Sequence, residues 1–388
     1  MEQNQVIRDF LELVRSAMRS VPPNLDPARV HWDEVFRLAQ AHQLGVMIAY
    51  PALELVSDPT SPVFRMGMQA VGSGLAQQQA QSRLLEQMRL SFPSLEIPFL
   101  PLKGSLLRPM YPKPEMRTMC DLDILIHKED LEKAGQWLLE QGFTREEGFD
   151  HDIPYTKLPY LHVEFHYRLF SENTSASLSR FFDGIWEQAK PLSQGSWEYA
   201  LPAEWFAAYL TAHFAKHAAV SGSGARSVLD LWLYAKKVPM EEDKLFALLD
   251  KMHLTAFYQR MLKLGECWME GIPCPEELLP VQQYLLQSGV YGTEQHRVLS
   301  QSAQAQSKGK HLLRRFFPPM SQMRYHFPIL QNRPVLLPFC WVGRWIRVLK
   351  KGTDNFQREM ELLKTLSPEE MEENRRLMDQ LGLTNFHG

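Results

Sequence analysis

The sequence predicts an α+β fold, a small core of short strands set between largely α-helical N- and C-terminal regions. Apolar residues recur at helical spacing from about residue 4 to 90 and again beyond residue 191. Between those regions, short apolar runs at 97–102, 122–126 and 161–165 alternate with one helical stretch, 128–141. The composition agrees: 45% hydrophobic and 22% charged residues over 388 positions describe a globular chain long enough for two to four compact units.

In chain order, Val6, Phe10, Leu13, Val14 and Met18 mark a first helix, and Val35, Leu38, Ala39 and His42 a second. Asp26-Pro27 reads as a helix start, with Asp as the cap and Pro in the first turn. A long, Gln- and Ala-rich helix is expected over 61–90. The apolar run 99–102 then breaks at Lys103-Gly104-Ser105, a short helix follows over 106–111, and a Pro-rich loop leads into 122–126. Gly142 is placed to close the helix 128–141, and 150–158 reads as a strand or a loop.

In 161–166 apolar and polar residues alternate strictly. Leu161, Val163 and Phe165 therefore face one side, and His162, Glu164 and His166 the other. The helix 203–220 carries His213 and His217 at i, i+4. Such a pair suits zinc, yet no Glu follows His213 and no third ligand is evident, which favours a core or cleft-lining role. A Gly-rich turn, 221–224, leads to a helix over 226–237 in which Arg226 and Asp230 are spaced to pair. Residues 241–299 read as helical, 302–310 as a polar linker, and Ser367-Pro368-Glu369-Glu370 as the start of a tail helix.

The sharpest chemical feature is the pair Asp121 and Asp123. Residues two apart on a strand share a face, roughly 6.6 Å apart along it, so both carboxylates are expected to lean toward one point. Like charges so close resist joint ionisation unless a cation sits between them, and magnesium, a hard oxygen-seeking ion, fits that need.

Lys103-Gly104, then Arg117 through Asp123, then Glu164-Phe165-His166-Tyr167 resemble the motifs of the nucleotidyltransferase superfamily with the DNA polymerase β fold. More narrowly they resemble its uncharacterised bacterial nucleotidyltransferase family, with a looser likeness over 32–349. Unlike most of the superfamily, the chain has a lysine before a single glycine. The resemblance implies a small mixed sheet and a metal-dependent transfer of a nucleoside monophosphate from a nucleoside triphosphate to an acceptor hydroxyl on a small molecule, protein or RNA. Asp121, Asp123 and Glu164 would be its catalytic, metal-binding carboxylates, holding two magnesium ions, with Glu164 also placed to assist deprotonation of the acceptor. Lys103, Gly104, Ser105, Arg117 and Arg226 would serve the nucleotide phosphates: Gly104 by lacking a Cβ, Ser105 at a helix start, Lys103 and Arg117 as clamps of which only arginine binds in a bidentate manner. His166 belongs to the motif without an assigned role.

These readings divide the chain into an N-terminal helical region (1–93), a nucleotidyltransferase-like core (94–190), a helical domain over the cleft (191–300) and a basic, aromatic segment with a helical tail (301–388). From 308 to 351 ten Lys/Arg occur without one Asp or Glu, interleaved with Phe316, Phe317, Tyr325, Phe327, Phe339, Trp341 and Trp345. Such a mixture suits contact with a nucleic acid or another polyanion, or with an anionic membrane surface. The net charge of −3 confines any such attraction to a local patch. Four cysteines without CxxC spacing, no secretory signal pattern and no transmembrane run of about 18 apolar residues lead to the expectation of a cytoplasmic protein. Two further readings stand beside the enzyme: a catalytically silent nucleotide-binding module, and a helical scaffold that docks through its basic segment.

Overall fold

The computed structural model describes residues 2–220, 222–289, 316–318, 320, 323, 327–351 and 367–386. Four helices lead the chain: α1 (Glu2–Arg19), α2 (Trp32–Ala41), α3 (Gly45–Leu55) and α4 (Pro62–Ser91). Helix α4 starts where the Ser61 hydroxyl accepts the Val63 N–H, with Pro62 in the first turn. Asp26-Pro27, by contrast, starts no helix. The Asp26 carboxylate accepts the Ala28 N–H and its carbonyl the Arg29 N–H, closing an isolated turn, and helix begins only at Trp32. The Asp side chain that can cap a helix can equally complete a local turn.

Five strands form one sheet: β1 (Phe99–Pro101), β2 (Leu122–Ile126), β3 (Thr144–Arg145), β4 (Asp152–Lys157) and β5 (Leu161–His166), in the spatial order β1-β2-β5-β4-β3. β2 and β5 run parallel and the other neighbours antiparallel, so the sheet is mixed and the fold α+β. A parallel pair needs a long crossover, here the segment that holds α6 (Leu131–Glu140) and the β3–β4 pair. Gly142, at φ +83°, takes the left-handed position past the end of α6. Between β1 and β2, α5 (Gly104–Leu107) is shorter than expected, because Pro109 lacks the N–H that would extend it and a 3-10 turn, Arg108–Met110, takes over.

The two faces of the sheet pack differently. Phe99, Ile124, Ile126, Val163 and Phe165 meet Ala134, Trp137 and Leu138 of α6 and Leu84, Met88 and Phe92 of the α4 end. Leu100 and Leu125, on the opposite face, join the large helical core. That core includes α7 (Ala176–Phe181), α8 (Ala203–Val220), α9 (Ala225–Lys237), α10 (Glu242–Lys251), α11 (Thr255–Glu270) and α12 (Leu279–Ser288). Among the described residues two more helices follow, α13 (Leu337–Lys351) and α14 (Pro368–Leu381), the latter opened by a reciprocal Ser367–Glu370 capping box. The expected linker 302–310 and much of the basic stretch lie outside the described residues. Among the described residues no helix is long and apolar enough to cross a membrane.

Candidate active site

The parallel register of β2 and β5 sets Asp123 opposite Glu164 and Leu125 opposite His166. Because side chains alternate along a strand, Asp123, Glu164 and His166 share the face that carries Leu125. Asp123 Oδ1 accepts a hydrogen bond from Lys103 Nζ at 2.9 Å and lies 2.8 Å from His166 Nε2. His166 Nε2 is also 3.3 Å from Glu164 Oε2, and His162 Nε2 3.4 Å from Glu164 Oε1. Asp123, Glu164 and His166 thus each offer a donor atom within 4.8 Å of the others, close enough to share one metal ion. Asp121 lies outside that group, just before the strand begins, and is partly accessible.

Burial opposes ionisation throughout this cluster, and the neighbours decide each outcome. For Asp123 the adjacent Lys103 and the His166 hydrogen bond outweigh burial and hold the carboxyl far below its ordinary range. Glu164 is lowered to about 2, burial being outweighed by hydrogen bonds from His162 and His166. His166 itself is raised to about 9, since Asp123 and Glu164 outweigh its burial. Asp121 goes the other way: burial and then the Asp123 charge push it up, with Lys103 offsetting only part.

Lys103 sits at φ +41°, ψ −110°, a region that residues with a Cβ rarely visit. Backbone strain of this kind clusters at functional sites, and here it aims the ammonium at Asp123. Gly104 follows, but its missing Cβ answers a different need from the expected one. A Cβ there would collide with Met119 Sδ and with the Arg117 guanidinium, so glycine is required by packing inside the protein. The Ser105 N–H is spent on the Leu102 carbonyl, while its hydroxyl oxygen is buried without a partner among the described residues.

Two arginines also depart from their expected roles. Arg117 is buried and grips Asp230 with both Nε and Nη2 at 2.7 Å, and the Tyr111 hydroxyl donates to the same carboxylate. The expected Arg226–Asp230 pair is therefore replaced. Arg226 reaches instead to the Gln43 side-chain oxygen and the Thr118 carbonyl, close enough to Asp121 to lower its proton affinity. The link that i, i+4 spacing proposed within one helix is made across 113 residues of sequence.

Helix α8 covers this side of the sheet. Tyr209, His213, Lys216 and His217 line the cleft, all partly or fully buried. Burial and then Lys103 hold His213 well below its ordinary value, and the same two causes bring Lys216 to about 8. No group of metal ligands among the described residues includes His213 or His217. The sequence reading missed Lys216, Tyr209 and His151 as site residues. For Lys216 the signal was present, because it falls on the same helix one turn from His213.

A mixed sheet with carboxylates on two adjacent parallel strands, a strained Lys-Gly turn beside them and a helical cover make up an α+β protein with an acidic cleft that could hold a metal ion. The profile of a family described as an uncharacterised nucleotidyltransferase matches residues 28–270, and the chain belongs to that family. The match contains every residue of the cleft named above. A search of curated proteins finds no match to the chain.

Proposed function

We propose that this protein is a magnesium-dependent nucleotidyltransferase that moves a nucleoside monophosphate from a nucleoside triphosphate to an acceptor hydroxyl. The observation that carries this reading is the pairing of Asp123 with Glu164 across β2 and β5, with Asp121 one step before the strand. The donor set fits a hard divalent cation: three carboxylates, one of them, Asp121, pushed toward its neutral form by burial and by the neighbouring Asp123 charge. Asp121, Asp123 and Glu164 would hold the metal, one ion or two. Bound there, magnesium would supply charge neutralisation and activation of the acceptor hydroxyl.

The chain's own groups carry the rest. The acceptor oxygen bonds to the α-phosphorus and its proton passes to solvent water, while the bond to the bridging oxygen breaks and pyrophosphate leaves. Lys103 and Lys216, on opposite walls of the cleft, would meet the triphosphate's charge. Glu164, lowered to about 2 by its histidines, suits a ligand better than a general base. His166 would orient both carboxylates through Nε2. Arg226 would steady Asp121, and Arg117 would act indirectly, by fixing Gly104 and Asp230. Such a reaction draws on the cytoplasmic nucleotide pool.

One observation favours the catalytically silent alternative: Arg117 and the Ser105 N–H, both expected on phosphates, are committed within the protein. In that case α13, with exposed Phe339, Val342 and Ile346 and the basic residues of its sequence, would be the working surface toward a nucleic acid or another anionic partner. The deciding experiment is calorimetric titration of each nucleoside triphosphate with and without magnesium, into wild type and the Asp121→Asn, Asp123→Asn double variant. Magnesium-dependent binding that the double variant loses is the expected result. Folded wild type that binds no triphosphate would overturn the enzyme reading.

A further inference from the structure

We propose that His151, Asp152 and His166 form a second cation site, separate from the carboxylate site, that takes a first-row transition ion such as Co²⁺, Mn²⁺ or Zn²⁺. The proposal goes beyond nucleotidyl transfer and stands whether or not transfer occurs. Its first support is placement. The three residues each offer a donor atom within 4.8 Å of the others. The β4–β5 register sets Asp152 directly opposite His166, and the His151 and His166 rings lie 5.6 Å apart.

The second support is independent of that cluster. His166 is only 5% exposed, yet its Nδ1 has no hydrogen-bond partner among the described residues, and the same holds for the buried Nδ1 of His151. Leaving a buried polar atom unpaired is costly, so the His166 nitrogen asks for a ligand that the described residues do not supply. The carboxylate site does not supply it, since His166 meets Asp123 and Glu164 through its other nitrogen, Nε2. A histidine that binds metal through one nitrogen characteristically donates the other N–H to a carboxylate, which fixes the tautomer and the ring. His166 is already held that way by Asp123 at 2.8 Å.

Asp152 is prepared in the same sense. Its Oδ1 accepts the Phe149 N–H at 3.2 Å, which leaves Oδ2, 3.2 Å from His151 Nε2, to face the ion. Asp150 stands behind, with one oxygen 3.6 Å from His151 Nδ1 and the other accepting from the backbone and side chain of Asn173. Lys216 and Lys103 are the opposing cations, and His166, raised to about 9, gives up its Nδ1 proton for the ion to bind. Two imidazoles and one carboxylate are borderline donors that favour transition ions, whereas magnesium prefers oxygen alone. The two sites would thus sort their metals by donor type, with His166 as the shared wall.

The test uses metal-free full-length protein in excess magnesium, titrated with Co²⁺ and followed by calorimetry and visible absorption. One Co²⁺ per chain is expected, with a d–d band of nitrogen ligation that magnesium does not abolish. His151→Gln should weaken binding tenfold or more while melting within a few degrees of wild type in the absence of metal. Asp152→Asn should do the same, which keeps the test decisive if either variant folds poorly. Absence of bound Co²⁺, its displacement by magnesium, or unchanged affinity in both variants would each overturn the proposal. Co²⁺ binding alongside a failure to bind any triphosphate would support this site and overturn the transferase reading alone.

Discussion

The two faces of the central sheet are built from the same strands and share no task. On one, Ile124, Ile126, Val163 and Phe165 are sealed by α6 and the end of α4, and the Phe92 ring meets Phe99 and Trp137 edge-on at 5.2 and 5.3 Å. On the other, one residue along each strand, Asp123, Glu164 and His166 crowd together under α8. A period of two lets β2 and β5 anchor a dry core and hold reactive groups at once. Substitutions on the two faces should therefore fail in different ways.

The largest expected effect separates them at neighbouring positions on one strand. Phe165→Ala, a truncation in a fully buried site, should cost about 3–5 kcal/mol of stability by denaturant titration. Glu164→Gln, which keeps the side chain's shape and part of its hydrogen bonding, should lose clearly less stability than Phe165→Ala in the same titration. Its transfer of α-labelled nucleotide should fall about a thousandfold, with nucleotide binding retained. Equal losses of stability in the two variants would break the division between the faces.

How far the sequence foretold this arrangement depended on the range of the interaction. Strand β2 appeared at its observed bounds, and β5 within one residue, because alternation is a local pattern that sheet pairing preserves. The Ser61 start of α4 and the Ser367 capping box were likewise written in a few adjacent residues. What failed was partner choice. Spacing alone put Arg226 with Asp230, but the fold brought Arg117 to that carboxylate from a distant loop. Gly104 was read as making room for a ligand when Arg117 and Met119 fill the space. His151 carried no signal at all, since its meaning arises only when β4 pairs with β5.

A second contrast sharpens the first. Arg117–Asp230 and Lys103–Asp123 are both buried ion pairs, but the first is complete: two nitrogens and a tyrosine hydroxyl serve one carboxylate. It tethers α9 to the loop before β2. Asp230→Asn would leave a buried guanidinium without its counter-charge, at a cost of about 3 kcal/mol, the low end for broken buried pairs because the amide keeps some hydrogen bonding. Thermal and denaturant unfolding would show it. A variant as stable as wild type would mean that the pair holds nothing together, and that Arg117 is available to a ligand after all.

The smallest effect distinguishes a histidine of the scaffold from one of the site. His42 is fully buried; it accepts the Ala225 N–H at Nδ1, 3.1 Å away, and so donates from Nε2 to the Leu286 carbonyl, also 3.1 Å away. Both nitrogens are satisfied only while the ring is neutral, and burial lowers its pKa to about 4. His166 is shifted the opposite way, to about 9, by its carboxylates. With the folded value of His42 below the unfolded one of about 6.5, the unfolded chain takes up the proton first. Its contribution is intact above pH 6.5 and drains away as the pH falls toward 4. Between pH 6.5 and 5 that amounts to about 2 kcal/mol. His151, His213 and His217 are shifted in the same direction, so the whole protein's loss will be steeper, and the measurement is a difference. His42→Gln should be less stable than wild type at pH 7, and the gap should narrow by about 2 kcal/mol by pH 5. A constant gap would mean that His42 titrates alike in the folded and unfolded chain, and that burial has not set it apart from an exposed imidazole.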